Sequence, residues 1–139
     1  DVPMLTNPGR TNLLDREPIN EGILDYCQRQ GIGFISFSPL AQGLLTDRYL
    51  HGVPDDSRMA RNHFLKKERL TPELLNYLQR LNATATERGE SLAEMALSWV
   101  LHQQGITSVL VGASNPEQLQ KNLRSVHAQP FDENIEAIV

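Results

Sequence analysis

Two short apolar segments, each followed at once by a turn of small and polar residues, constrain the fold of this chain more than any other feature. The first is Gly33–Phe37, which Ser38-Pro39 ends, and the second is residues 107–111, which Gly112 follows. Helix-like patterns separate and follow these segments, and strands that alternate with helices predict a parallel sheet covered by helices. Because two parallel strands do not form a stable sheet, the chain is predicted to be part of a larger α/β domain.

The region before the first strand is predicted to be loop and then helix. Residues 1–17 contain two prolines and a glycine and show little periodicity, so we expect mostly loop. From Pro18 to Gly31, apolar residues recur at helical spacing and predict one amphipathic helix. Its expected apolar face consists of Ile19, Ile23, Tyr26 and Cys27.

Further helices are predicted in the second half of the chain. Thr71-Pro72-Glu73 is typical of a helix start, with an N-cap, a first-turn proline and an acid. Ser91 and Glu94 form a capping-box pattern that begins the next helix. Another helix is predicted from Asn115-Pro116 and a last one from Asp132. The inward face that follows Asn115 is expected to be Leu119, Leu123 and Val126.

Composition and charge exclude several classes of protein. With 13 basic and 17 acidic residues the net charge is −4, which argues against a general nucleic-acid-binding protein. No apolar run approaches the roughly 18 residues that a membrane-spanning helix needs, and the first residues show no signal-peptide pattern. A single cysteine excludes a disulfide framework and fits a reducing, cytoplasmic compartment. Cys27 and Trp99 lie in apolar helical patterns and are interpreted as core residues.

A cluster of positive charge lies in a long irregular stretch over residues 39–70. Such a run is usually a solvated loop surface, and the alternative is a local site for an anion such as a phosphate. From the charge pattern alone both interpretations stay open. The cluster consists of Arg58, Arg61, Lys66, Lys67 and Arg69.

The turns that follow the two strands are the strongest candidates for a ligand site. Parallel α/β folds bind ligands at the carboxyl ends of their strands, where residues 38–43 and 112–118 would both lie. A small-residue turn at a helix N-terminus offers backbone N–H groups and the positive end of the helix dipole, which together can hold a phosphate. Ordinary strand-to-helix turns use the same residue types, so the pattern alone leaves a purely structural role open.

Other chemical motifs are missing from the sequence. Gly31-Ile32-Gly33 precedes its strand instead of following it, which is not a dinucleotide-binding fingerprint. The four histidines lie far apart and group with no cysteine, so no metal site is predicted. No serine-nucleophile motif occurs and no acid–base pair stands out, so the sequence predicts a binding surface without catalytic residues of its own.

Several segments, in order along the chain, resemble the aldo-keto reductases. Residues 34–46 are similar to the seventh-strand segment of that family, and residues 91–101 to the helix before the eighth strand. Residues 107–122 (TSVLVGASNPEQLQKN) resemble the eighth strand with its cofactor-binding loop and helix. Residues 49–59 resemble the bacterial L-glyceraldehyde 3-phosphate reductase branch, which is related to the β subunits of potassium channels. The resemblance covers about residues 12–138.

The resemblance implies a (β/α)8 TIM barrel, which typically needs about 250 residues. Residues 1–139 are therefore expected to be the C-terminal half of a single aldo-keto reductase domain, a partial barrel with about the last two and a half βα units and a C-terminal helix. The resemblance also implies a cytoplasmic oxidoreductase that reduces a small-molecule aldehyde or ketone with NADPH. It implies no nucleic-acid or membrane partner.

The resemblance also implies cofactor contacts, residue by residue. Phe37 falls where the family stacks an aromatic ring on the nicotinamide, Arg48 matches a basic residue near the phosphates, and Arg58 a position close to the adenosine half. A guanidinium or ammonium beside helix N-terminal amides suits the 2′-phosphate, which favours the anion interpretation for Arg58. The other matches are the pyrophosphate loop, with Ser38, Pro39, Leu40 and Gln42, and the 2′-phosphate and adenine segment, with Gly112, Ser114, Gln118, Lys121 and Asn122.

The sequence also departs from the family pattern. The catalytic Asp, Tyr, Lys and His of the family come from its first four strands, so no catalytic residue is assigned in this chain. A Gln and a Tyr usually precede the motif at Asn12-Leu13-Leu14, but residues 8–11 are PGRT, so the usual carboxamide contact is not assigned. Asp47 replaces a common glycine.

Three hypotheses about function stand at this point. The chain is the cofactor-binding half of an NADPH-dependent aldo-keto reductase, a non-catalytic NADPH-binding regulatory module, or an inactive fragment. A half-barrel exposes two sheet edges and a cut core, so we also expect self-association into a homo-oligomer.

Overall fold

Three parallel strands form the sheet of the structure, a computed structural model that describes residues 4–55, 60 and 67–139. The strands are β1 (Thr6–Arg10), β2 (Gly33–Phe37) and β3 (Ile106–Val109), and they lie side by side in that order. The β2–β3 register shifts between Phe34 and Ile35. At this shift the Thr107 hydroxyl accepts a hydrogen bond of 3.1 Å from the Phe34 N–H, so a side chain takes part in the ladder.

The expectation that residues 1–17 are mostly loop is wrong for β1. Pro8 and Gly9 are unusual in strands, and their presence led to the loop prediction. Each nevertheless occupies a position in β1 where its residue type is tolerated. Within the described residues β1 pairs only with β2, and proline is tolerated in edge strands because it has no N–H to donate. A Cβ on Gly9 would overlap the ring of the buried Phe34, so the close approach of β1 and this ring requires glycine.

Gly9→Ala is therefore expected to lower the free energy of unfolding by about 1–3 kcal/mol, as overpacking of a filled core does. Chemical denaturation followed by circular dichroism measures the effect. Gly112→Ala is the matched control, because open space surrounds that position and its φ is not positive. Equal stability of the two variants would contradict the proposed packing of Phe34 against Gly9.

The region between β1 and β2 contains two short helices, α1 (Glu17–Asn20) and α2 (Ile23–Arg29), instead of the single predicted helix. The break lies at Gly22, whose φ of 74° is left-handed. Ile23 and Cys27 still pack in the core after the break, whereas Tyr26 is 56% exposed, so its assignment to that face is wrong. Cys27 is buried, as predicted.

The helices α3 (Pro72–Glu87) and α4 (Leu92–His102) begin as the sequence predicts. The Thr71 hydroxyl accepts a hydrogen bond from the Leu74 N–H, and Ser91 and Glu94 form both bonds of a capping box. Trp99 is confirmed as a core residue. Between β2 and α3, short 3₁₀ turns form at Ala41–Gly43, Asp47–Tyr49 and Lys67–Arg69. The main core lies between α3, α4 and the loop after β2, with Leu44, Leu45, Tyr49, Leu78, Leu81, Met95 and Val100.

After β3 the chain forms α5 (Pro116–Leu123), a 3₁₀ turn (Arg124–His127) and α6 (Glu133–Glu136), which Asp132 caps as predicted. The prediction that Leu119, Leu123 and Val126 face inward is wrong, because they are 42%, 56% and 61% exposed. These side chains do lie in helical segments, as their spacing predicts. No element in the described part of the chain packs over them. None of the described helices is long and apolar enough to cross a membrane.

Among the described residues, one face of the sheet is covered more completely than the other. Phe34 and Ser36 are buried, whereas the alternate residues of β2, Ile35 and Phe37, are only half-buried. Residues paired across parallel strands share a face, so Arg10, the partner of Phe37, lies on the less covered side. We call this side, with Pro8, Arg10, Ile35 and Phe37, the open face.

Candidate functional site

The turns after β2 and β3 meet at the carboxyl edge of the sheet and line a pocket of about 410 Å³. The structure therefore brings together the two segments that the sequence singled out. Of the twelve residues assigned to cofactor binding, eight line this pocket: Ser38, Pro39, Leu40, Gln42, Arg48, Gly112, Ser114 and Gln118. The other lining residues, not assigned from the sequence, are Gly43, Thr46, Tyr49, Leu110, Val111 and Ala113.

The loop after β2 has a strained backbone. Ser38, Ala41 and Gln42 have φ values of 52°, 47° and 60°, and no other non-glycine residue of the described chain has a positive φ. Each such residue costs on the order of 1–3 kcal/mol, and such strain concentrates where a loop must present groups to a ligand. Ser38 and Gln42 are among the lining residues, so the strain lies in the pocket wall itself.

Asn12 holds the start of this strained loop. Its Nδ2 donates a hydrogen bond of 3.0 Å to the Ser38 carbonyl, and its Oδ1 accepts one of 2.9 Å from the Leu14 N–H. Asn12 is 1% exposed. Beside it, the Ser36 hydroxyl donates to the Thr11 carbonyl at 3.0 Å, so the end of β1 is joined twice to the end of β2 and its loop. Sequence reasoning missed this role, and its only signal was the Asn-Leu-Leu motif.

The turn after β3 is organised by its own side chains. Asn115 caps α5 by accepting a hydrogen bond of 2.8 Å from the Gln118 N–H. The Gln118 side chain reaches back and accepts one of 2.7 Å from the Ser114 N–H. Nothing lies within 4 Å of a Cβ built on Gly112, so the backbone there is open to a ligand. Gln118 therefore fixes the shape of the turn on one side of the pocket.

Arg48 supplies positive charge to the pocket. It is the one charged residue among the described lining residues. Its backbone N–H donates a hydrogen bond of 3.2 Å to the Thr46 hydroxyl. Together with the hydroxyls of Ser38 and Ser114, Arg48 gives the pocket donors that suit phosphate oxygens. The Thr46 hydroxyl donates its own hydrogen bond of 2.6 Å to the Gly43 carbonyl.

The remaining assigned residues lie elsewhere. Lys121 is exposed on α5 and pairs with Glu117 at 3.2 Å. Asn122 is buried, and its Nδ2 has no hydrogen-bond partner among the described residues. Phe37 directly precedes the pocket loop on the open face, and the guanidinium carbon of Arg10 lies 6.0 Å from its ring centroid. Arg58 lies outside the described residues, as do Arg61 and Lys66.

A comparison of the sequence with family profiles decides the family. The profile described as "Aldo/keto reductase family" matches residues 1–139. This chain belongs to the aldo/keto reductase family. The predicted resemblance to that family and to its glyceraldehyde 3-phosphate reductase branch is thereby confirmed.

Relatives of this aldo/keto reductase chain come from bacteria and plants. It is 47% identical over 134 residues to the L-glyceraldehyde 3-phosphate reductase of Escherichia coli O157:H7, covering 94% of this chain and 39% of that protein. It is 32% identical over 132 residues to a probable voltage-gated potassium channel subunit beta of Arabidopsis thaliana, covering 93% of this chain and 40% of that protein. The chain thus spans about two fifths of the length of these relatives.

A solved structure shares the fold of this aldo/keto reductase chain. It is a thermostable aldo-keto reductase in complex with the inhibitor epalrestat, and it matches with a TM-score of 0.68 at 20% identity. The match covers 98% of this chain and 39% of the other. Family and shared architecture together show an α/β fold of the TIM-barrel type, to which this chain contributes three parallel strands.

Proposed function

We propose that this chain is the cofactor-binding part of an oxidoreductase that reduces aldehydes or ketones to alcohols with NADPH. The observation that supports the proposal is the junction of the two strand-end turns in one donor-rich pocket at the carboxyl edge of a parallel sheet. In such folds that edge is where ligands bind. On this proposal, residues 1–139 form the C-terminal half of one TIM barrel, in a cytoplasmic protein.

The residues of the pocket suit the two phosphate-bearing parts of a dinucleotide. Ser38, Gln42 and Arg48 would hold the pyrophosphate, and the turn at Gly112 would let the ligand approach the backbone closely. Two basic residues that are not among the described lining, Lys121 on α5 and Arg58, are assigned to the 2′-phosphate by the family resemblance. NADPH supplies a hydride when bound. Tyr49 lines the pocket but is 1% exposed, so we assign it to the wall and assign no proton donor to this chain.

Titration of the protein with NADPH, followed by the fluorescence of the reduced nicotinamide, tests the proposal. Gly112→Val is expected to weaken NADPH binding at least about tenfold, because its side chain would occupy the space needed for close backbone approach. Its free energy of unfolding should stay within about 0.5 kcal/mol of the original, since the position is exposed. Gln28→Ala, an exposed substitution on α2, is the matched control and should not change the affinity.

The outcome of this titration also separates the alternatives. Absence of binding by the folded protein would overturn the proposal and favour an inactive fragment. Unchanged affinity in Gly112→Val would contradict the assignment of this turn to the cofactor site. Preference for NADPH over NADH should disappear in the double variant Arg58→Ala with Lys121→Ala, and a preference that persists would contradict the 2′-phosphate assignment.

The second candidate is a regulatory module that binds NADPH without catalysing a reaction. The similarity to a probable potassium channel subunit beta favours it. The protein that carries this chain should then bind NADPH without consuming it when an aldehyde is added. Aldehyde-dependent loss of absorbance at the nicotinamide band would instead favour the reductase.

A further inference from the structure

A positive charge lies beside the aromatic ring at which the pocket loop begins. Arg10 ends β1, and its Cα is paired with that of Phe37 at the end of β2. The guanidinium carbon is 6.0 Å from the Phe37 ring centroid, within the range of a cation–π contact. The Arg10 side chain is 49% exposed on the open face, so it is accessible to a ligand that approaches this ring.

The residues that the structure describes compensate the charge of Arg10 only partly. Its carboxylate neighbour is Asp15, with 3.9 Å between Nε and Oδ2. That separation exceeds the 2.7–2.9 Å or so of a charge-assisted hydrogen bond. Asp15 is held in place through its backbone, by bonds of 3.0 and 3.1 Å to Asn12, and does not depend on Arg10 for its position. On the open face, the Arg10 guanidinium therefore lies next to the Phe37 ring, and the Asp15 carboxylate is its acidic neighbour.

We propose that Arg10 makes this site prefer the reduced nicotinamide over the oxidised one. The proposal rests on the proposed function, through the stacking of the nicotinamide on Phe37. The ring of NADPH is neutral, whereas the ring of NADP⁺ carries a positive charge. A guanidinium beside the platform repels the oxidised ring and leaves the reduced ring unaffected, and Asp15 moderates the repulsion. Arg10 thereby favours loading of NADPH and release of NADP⁺.

Measurement of both dissociation constants in charge variants tests this role. NADPH is titrated directly by fluorescence, and NADP⁺ by displacement of NADPH. In Arg10→Gln, the ratio Kd(NADP⁺)/Kd(NADPH) is expected to fall about three- to tenfold, as for unit charges about 6 Å apart at an effective dielectric constant between about 40 and 80. Asp15→Asn should raise the ratio, and Arg10→Lys should preserve it. High salt should reduce every difference.

The outcomes separate this role from a structural one and from failure of the proposed function. A folded Arg10→Gln variant that binds both cofactors with an unchanged ratio overturns the role of Arg10 and leaves the cofactor site standing. An equal weakening of both cofactors also overturns it, since the charge would then act on the phosphates or on folding. Failure of the original protein to bind either cofactor overturns the proposed function and this inference together.

Discussion

Asn12→Ala is expected to lower the free energy of unfolding by about 2–4 kcal/mol and to weaken NADPH binding. The substitution removes two hydrogen bonds of a buried side chain and leaves the Leu14 N–H without that partner, while the Ser38 carbonyl keeps the bond of 3.0 Å that it accepts from the Ala41 N–H. A buried polar group without a partner costs about 1–3 kcal/mol. Urea denaturation measures the first effect, and fluorescence titration with NADPH measures the second.

The loss of affinity should depend on the backbone of Ser38. Asn12 holds a residue whose φ is 52°, a conformation that glycine adopts without strain and alanine does not. Asn12→Ala should therefore cost less affinity in a Ser38→Gly background than in a Ser38→Ala background. Both backgrounds lack the Ser38 hydroxyl, so the comparison isolates the backbone conformation.

A purely structural role for Asn12 predicts a different result. Asn12→Ala would then lower stability by the same amount in both backgrounds, and the loss of NADPH affinity would be equal in the two. That result would contradict the view that Asn12 acts through the left-handed conformation of Ser38.

Leu78→Ala is the second substitution for which we expect a large effect. Leu78 is fully buried on α3, and truncation of such a leucine costs about 2–5 kcal/mol because it leaves a cavity. Leu123, at the end of α5, is 56% exposed, so Leu123→Ala should change the free energy of unfolding by less than about 0.5 kcal/mol. The sequence pattern places both leucines on apolar helix faces, and urea denaturation of the two variants distinguishes them.

A large cost for Leu123→Ala would contradict the exposed position of that residue in solution. It would mean that the apolar side of α5 is covered, and the expected homo-oligomer is the partner to test first. Light scattering of both proteins after size exclusion gives the answer, since a monomeric state at all concentrations would contradict self-association through this surface.

The sequence predicted those features of the fold that depend on local interactions. The caps at Thr71, Ser91 and Asp132 follow from hydrogen bonds between residues three positions apart, which a sequence shows directly. The strand β1 was missed because Pro8 and Gly9 are acceptable only through its edge position and its contact with Phe34, which are tertiary features. The inward direction of Leu123 was predicted wrongly because spacing defines a helix face and not its partner.

In the candidate site, too, the features set by local sequence could be predicted and those set by tertiary contacts could not. The two turns could be located from the sequence because small residues after a buried strand mark the carboxyl edge of a parallel sheet. The role of Asn12 could not, because Ser38 lies 26 positions away along the chain. The left-handed backbone of Ser38, Ala41 and Gln42 could not be predicted either, since none of these residue types favours that conformation.

The left-handed backbone after β2 also limits how this loop can change during evolution. Valine, isoleucine and threonine fit positions 38, 41 and 42 poorly, because a β-branched side chain clashes with its own backbone at φ values near 50–60°. Glycine, asparagine and aspartate adopt that conformation most readily. We therefore expect substitutions at these three positions to be limited to a small set of residue types, even where the side chain contacts nothing.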